Sequence, residues 1–104
     1  MSRQAYEAKH VRGVILGTLQ AYYPNGLSGA NVFNHAVRPV FPTMEWAEAF
    51  RHLAYLKDRG FTEEVKPSEL QDIDSTKDII YRLTAAGLDL AAGVTQDPAI
   101  LIDA

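Results

Sequence analysis

Between Thr43 and Leu90 the sequence changes its periodicity twice, and this restricts the fold more than any other feature of the chain. Apolar residues first recur every three or four positions as far as Gly60, the next residues alternate, and a helical pattern returns after Thr84. A period of three to four residues indicates a helix, whereas alternation indicates a strand. The segment therefore predicts a helix, a two-stranded hairpin and a second helix, in that order.

The first helix of this segment has an apolar and a polar face. Thr43 is a suitable N-cap, because its hydroxyl accepts a hydrogen bond from a free backbone N–H, and Gly60 supplies a left-handed C-terminal stop. Residues at helical spacing are predicted to face the core: Trp46, Phe50, Leu53 and Leu56. The other side of the helix is predicted to carry Glu45, Glu48, His52, Tyr55 and Arg59.

Two further helices are predicted upstream. In residues 4–23 the apolar positions fall on one helical face: Val11, Val14, Ile15, Leu19 and Tyr22. Gly13 and Gly17 weaken this helix, and their spacing favours close approach by another element. A proline-containing turn ends the helix, and Ser28 is then a suitable cap for a second helix that finishes at or just before Arg38.

The hairpin and a C-terminal tail complete the predicted order. Residues 61–66 and 78–83 read as two short strands, and Thr84 is suited to cap a short final helix. The predicted domain covers residues 1–93 and leaves a tail at 94–104. The apolar residues of that tail are frayed, packed back on the core, or paired with a second copy in a homodimer.

Composition limits the class of protein. Of the 104 residues, 47% are hydrophobic and 22% are charged, as in globular proteins, and no cysteine is present to form a disulfide or a thiolate metal site. No apolar run approaches the roughly 20 residues that span a bilayer, and residues 1–7 lack the hydrophobic stretch of a signal peptide. We therefore expect a cytoplasmic protein with no membrane partner.

The net charge of −3 is unevenly distributed along the chain. Residues 1–59 contain seven Lys and Arg against four Asp and Glu, whereas residues 60–104 contain three against nine. A polyanion is therefore expected to meet the N-terminal part of the protein.

No motif predicts catalysis, a metal or a cofactor. His10, His35 and His52 are far apart in the sequence and include no pair at i and i+4, the spacing that brings two ligands together on a helix. Ser28 and Thr43 precede helical patterns, so they are explained as caps rather than as nucleophiles. The glycines match no phosphate-binding loop. We therefore expect that the protein is not an enzyme.

Two motifs within the segment carry a family resemblance. Phe50–Phe61 looks like the L-x-x-L-x-x-x-G end of the third helix in many bacterial winged-helix regulators, and Tyr81–Leu88 looks like the Y-x-L-T-x-x-G start of their last helix. In its size and its Leu83–Leu90 run, the chain also resembles small winged-helix proteins carried by Mu-like prophages. The resemblance implies a mostly helical α+β fold, a winged helix-turn-helix with three helices, a two-stranded wing and a short C-terminal helix.

The resemblance also implies a small transcriptional regulator that binds double-stranded DNA, with the third helix in the major groove and the 62–80 hairpin as the wing. Arg51 is suited to a guanine edge and Glu48 to the amino group of cytosine. Eight residues are implied to contact DNA: Arg38, Thr43, Met44, Glu48, Arg51, His52, Tyr55 and Lys66. Of these, Arg38, Thr43 and Lys66 are implied to contact phosphates.

The charge of the predicted wing supports a different interpretation. Residues 63–78 contain six carboxylates against Lys66 and Lys77, and duplex DNA repels such a surface unless it points away. The alternative is a winged helix that binds a protein partner through its acidic wing, or through the face that carries His52 and Tyr55.

Overall fold

A computed structural model describes residues 3–65 and 76–102 of the chain. Within these ranges the protein has an α+β fold with four α-helices and one three-stranded antiparallel sheet. The helices are α1 (Arg3–Ala21), α2 (Gly29–Val32), α3 (Trp46–Asp58) and α4 (Ala85–Ala91), and α2 continues into a π-helical turn, Phe33–Val37. The strands are β1 (Leu27–Ser28), β2 (Thr62–Val65) and β3 (Ile80–Leu83), with a 3-10 turn, Thr76–Asp78, before β3.

The sheet corrects the predicted number of strands. Its order is β1-β3-β2, with Leu27 opposite Tyr81 and Thr62 opposite Leu83. The prediction of a mostly helical α+β domain is confirmed, but the prediction of two strands is wrong because β1 pairs with the free edge of β3. Two residues are too few to show alternation in the sequence.

Local capping chemistry sets the helix ends, with one exception. The Ser28 hydroxyl accepts from the Asn31 N–H at 3.2 Å, and Thr84 Oγ1 accepts from the Gly87 N–H at 3.1 Å, so both predicted caps are confirmed. The predicted cap at Thr43 is wrong. Residues 41–44 form a turn closed by a hydrogen bond from the backbone of Met44, so α3 begins later, at Trp46, with Glu45 at its N-cap.

The core forms where α1 crosses α3 and the sheet. Four α1 side chains are fully buried, Val11, Ile15, Leu16 and Leu19, together with Leu53 and Leu56 of α3 and Tyr81 of β3. The buried face of α3 is rotated from the predicted one, since Ala49 and His52 are buried while Trp46 and Phe50 are only half-buried.

The C-terminal tail lies on α1. Ile100 is buried, and the Leu101 N–H donates to the Lys9 carbonyl at 3.1 Å. A Cβ atom added at Gly13 would lie 1.7 Å from the Leu101 carbonyl oxygen, whereas one added at Gly17 would have no atom within 4 Å. The close approach that the two glycines predict therefore occurs at Gly13 alone.

Among the described residues, none of the helices has the length and hydrophobicity needed to cross a lipid bilayer.

Candidate nucleic-acid interface

The outer face of α3 presents one arginine between two small residues. Arg51 is exposed, and its neighbours one turn away on the same face are Ala47 and Ala54, whose side chains are single methyl groups. Glu48 is exposed three positions before Arg51, and these two side chains form no ion pair with each other. The guanidinium therefore extends beyond its neighbours on this face.

His52 does not lie on that face, contrary to prediction. It is 9% exposed, and its Nδ1 accepts a hydrogen bond from Nε of Arg12 at 3.3 Å, which assigns the ring hydrogen to Nε2. Burial, and after it the neighbouring Arg12 guanidinium, lowers the pKa of His52 from its usual 6.5. His52 therefore joins α3 to α1 as a neutral acceptor and is not available to a base edge. Met44, also predicted to contact DNA, is 7% exposed and packs in the core.

Tyr55 is half-buried, whereas the sequence predicts that it projects from the outer side of α3. The Arg12 guanidinium carbon lies 3.7 Å from the centre of its ring, a cation–π contact, and Arg12 also donates to the Ala99 carbonyl at 3.2 Å. The same rotation of α3 that buries His52 turns Tyr55 toward α1. Arg12 is thereby part of the contact between α1, α3 and the tail.

Ion pairs occupy several of the remaining cations. Lys57 pairs with Glu64 of β2 at 3.3 Å, Arg82 pairs with Glu63, and Arg59 pairs with the buried Asp97 of the tail at 2.6 Å. Two carboxylates of the β2–β3 hairpin thus have a basic partner.

Three cations around α3 have no ion-pair partner in the described part of the chain. Arg38, Arg51 and Lys77 form no ion pair within residues 3–65 and 76–102. All three are exposed, so they are available to an external anion.

Arg38 and Lys77 meet in one cleft of about 520 Å³ at the start of α3, which we call the Trp46 cleft. Its lining includes Phe33, Arg38, Thr43, Glu45, Trp46 and Lys77. The rings of Phe33 and Trp46 meet edge to face with centroids 5.8 Å apart. The Arg38 guanidinium carbon lies 5.8 Å from the Phe33 ring centre, and Lys77 Nζ lies 5.9 Å from that of Trp46. Two cations therefore flank an aromatic pair.

The structure brings some predicted site residues together and separates others. Arg38 and Thr43 share the Trp46 cleft, while Arg51 and Glu48 lie on the outer face of α3. Lys66 lies outside the described residues. Sequence reasoning missed Lys77, which is the last residue of the predicted hairpin loop and reaches Trp46 only in the folded chain.

Within the described part of the chain, no three His, Asp or Glu side chains converge in a way that could hold a metal ion. Comparisons of the chain with protein-family models, with curated protein sequences and with solved structures find no match.

Proposed function

We propose that the protein is a winged helix-turn-helix that binds double-stranded DNA and acts as a regulator by occupying its site, without catalysis. The observation that carries the proposal is the exposed Arg51 between Ala47 and Ala54 on the outer face of α3, which has no ion-pair partner among residues 3–65 and 76–102. The order α1, β1, α2, α3, β2, β3, α4, in which β2 and β3 pair as a hairpin and α4 is short, supports the family assignment.

The outer face of α3 has chemistry suited to the major groove. Arginine donates two parallel hydrogen bonds to O6 and N7 of guanine, and an alanine methyl packs against the methyl group of thymine. Glu48 is suited to accept from the amino group of a cytosine. The small side chains of Ala47 and Ala54 let the helix backbone come close to the bases, so Arg51 reaches them first.

The carboxylates of the β2–β3 hairpin repel DNA phosphates less than the sequence alone suggests. Lys57 and Arg82 compensate Glu64 and Glu63, so these carboxylates face a phosphate strand with their charge partly neutralised. Arg38 and Lys77, which have no ion-pair partner in the described part of the chain, line a cleft at the start of α3.

A titration of labelled duplex DNA of random sequence tests the proposal. We expect binding at low salt that weakens as salt rises, because phosphate contacts release counterions. Replacing Arg51 and Arg38 by alanine should weaken binding at least tenfold, since hydrogen bonds from arginine to a charged phosphate contribute about 1.5–3 kcal/mol and about 1.4 kcal/mol corresponds to a tenfold change. Lys9→Ala removes a cation from the part of α1 that contacts the tail and is the matched control. Absence of binding at low salt, or equal loss in the control, contradicts the proposal.

A second function, binding of a basic protein segment, is favoured by the carboxylates around α3. Four carboxylates here are exposed: Glu45, Glu48 and Asp58, which belong to α3 or its N-cap, and Asp78, which lies just before β3. The version of this alternative that uses His52 and Tyr55 loses its support, because neither side chain is exposed. The same titration separates the two functions, since a protein-binding module leaves DNA unbound even at low salt.

A further inference from the structure

We propose that the Trp46 cleft holds the sugar-phosphate backbone of one DNA strand, with a phosphate between Arg38 and Lys77 and a sugar or base face against Trp46. This inference rests on the proposed function and names the residues that position the duplex beside α3. It adds Lys77 and Trp46 to the contact and gives the half-buried aromatic pair a role outside the core.

The chemistry of the cleft fits a phosphodiester. Arginine holds phosphate oxygens with a planar fork of N–H donors, and lysine acts on them as a compact point charge. Both cations are exposed and unpaired within the described ranges. Each lies within 6 Å of an aromatic ring centre, so the rings that a sugar or base would touch are adjacent to the charges that would hold the phosphate.

The cleft is continuous with the proposed reading face. Trp46 is the first residue of α3 and precedes Ala47, and its ring lies 5.8 Å from that of Phe50 one turn later. A strand that passes Ala47 therefore reaches the cleft without leaving the protein surface. Phosphate contacts of this kind set the register of a helix on the duplex, while base contacts supply the sequence preference.

Glu45 is the group that opposes this assignment. Glu45 is the exposed N-cap residue of α3, and it also lines the cleft. Among the described residues, the cleft thus carries two positive charges against one negative charge. Removing that carboxylate should strengthen the binding of a phosphate strand, whereas it would not strengthen the binding of a basic peptide.

The test uses the full chain and a duplex labelled at one end, with two readouts. Anisotropy of the label measures DNA binding, and emission of Trp46, the one tryptophan of the sequence, reports occupancy of the cleft. We expect DNA to change the Trp46 emission. Lys77→Gln and Arg38→Gln should each reduce the salt dependence, so that the ratio of affinities at about 50 and about 200 mM salt falls by about 3.5-fold. Glu45→Gln should raise the affinity, and the control Lys9→Gln should leave the ratio unchanged.

The possible failures are distinguishable. The cleft assignment is wrong, and the proposed function stands, if Arg51→Ala weakens DNA binding while two other results are obtained. DNA leaves the emission of Trp46 unchanged, and both glutamine variants keep the salt dependence of the parent protein. If no DNA binds at low salt, both fall.

Discussion

Replacing Gly13 by alanine tests the position of the C-terminal tail on α1. The new Cβ atom would lie 1.7 Å from the Leu101 carbonyl oxygen and 2.8 Å from its carbon, far inside the contact distance of about 3.5 Å between non-bonded atoms. Both clashing atoms belong to backbone, so no side-chain rotation relieves the overlap. The tail must therefore move away from α1.

The cost follows from the contacts that the tail would lose. Two hydrogen bonds, from Leu101 to Lys9 and from Arg12 to Ala99, contribute about 1 kcal/mol each. Burial of Ile100 contributes about 2 kcal/mol more. Alanine regains about 1 kcal/mol of helix propensity. We expect Gly13→Ala to lower the free energy of unfolding by about 3 kcal/mol, and the thermal midpoint by more than about 10 °C.

Gly17 provides a matched control on the same helix. No atom lies within 4 Å of a Cβ added there, so Gly17→Ala should raise stability by up to about 1 kcal/mol. Urea unfolding followed by circular dichroism compares the two variants, and a change in amide hydrogen exchange at Leu101 locates the effect. If both substitutions stabilise the protein equally, the tail does not lie on Gly13 and the reasoning is refuted.

Three further predictions concern other contacts of the fold. Gly87→Ala should cost more than about 2 kcal/mol of unfolding free energy, because its Cβ would lie 1.9 Å from the Phe61 carbonyl oxygen; an unchanged urea midpoint would contradict this. Thr84→Ala should cost about 1–2 kcal/mol in the same assay, since its hydroxyl donates to the Gly60 carbonyl at 2.6 Å as well as capping α4, whereas Thr84→Ser should retain most of the stability. His52 makes stability depend on pH. Its pKa is lowered in the folded protein, so below about pH 6.5 the unfolded chain binds the proton more readily than the folded chain. The free energy of unfolding should therefore decrease as the pH is lowered, by at most about 1.4 kcal/mol per pH unit. Urea titrations between about pH 5 and pH 8 should show a smaller slope for His52→Gln than for the parent chain; equal slopes would exclude His52 as the cause.

Except for the start of α3, the helix ends named here could be predicted because their chemistry is local. Ser28 and Thr84 cap the helices that follow them, and Gly60 and Gly93 both adopt a positive φ at helix C-termini. In each case one side chain or one glycine acts on backbone groups within a few residues, so the sequence pattern contains the whole interaction.

The orientation of α3 could not be predicted, because it depends on a partner distant in the sequence. Hydrophobicity alone ranks Trp46 and Phe50 above Ala49 and His52 as core residues. In the folded chain, His52 is buried with the Arg12 guanidinium as its hydrogen-bond donor, and the polar ring is thereby accommodated beside α1. Arg12 lies forty positions earlier, and no spacing within α3 indicates that contact.

Only part of the candidate site could be predicted, because some of its members are brought together by folding. The resemblance to winged-helix proteins implies Arg51 and Arg38 as site residues, and both are exposed in the structure. The Trp46 cleft requires Lys77, which folding brings from the far side of the hairpin to the start of α3. Such a cluster has no signal in a single sequence, because its members share no periodicity.

The position of duplex DNA on the protein tests the central claim most directly. Backbone amide chemical shifts of the isotope-labelled full chain would be recorded during titration with a duplex at low salt. We predict that the largest changes occur at Ala47, Arg51 and Ala54 and around Trp46, with none at tail residues 97–102. Largest changes at the tail, or no changes at any amide, would contradict DNA binding through the outer face of α3.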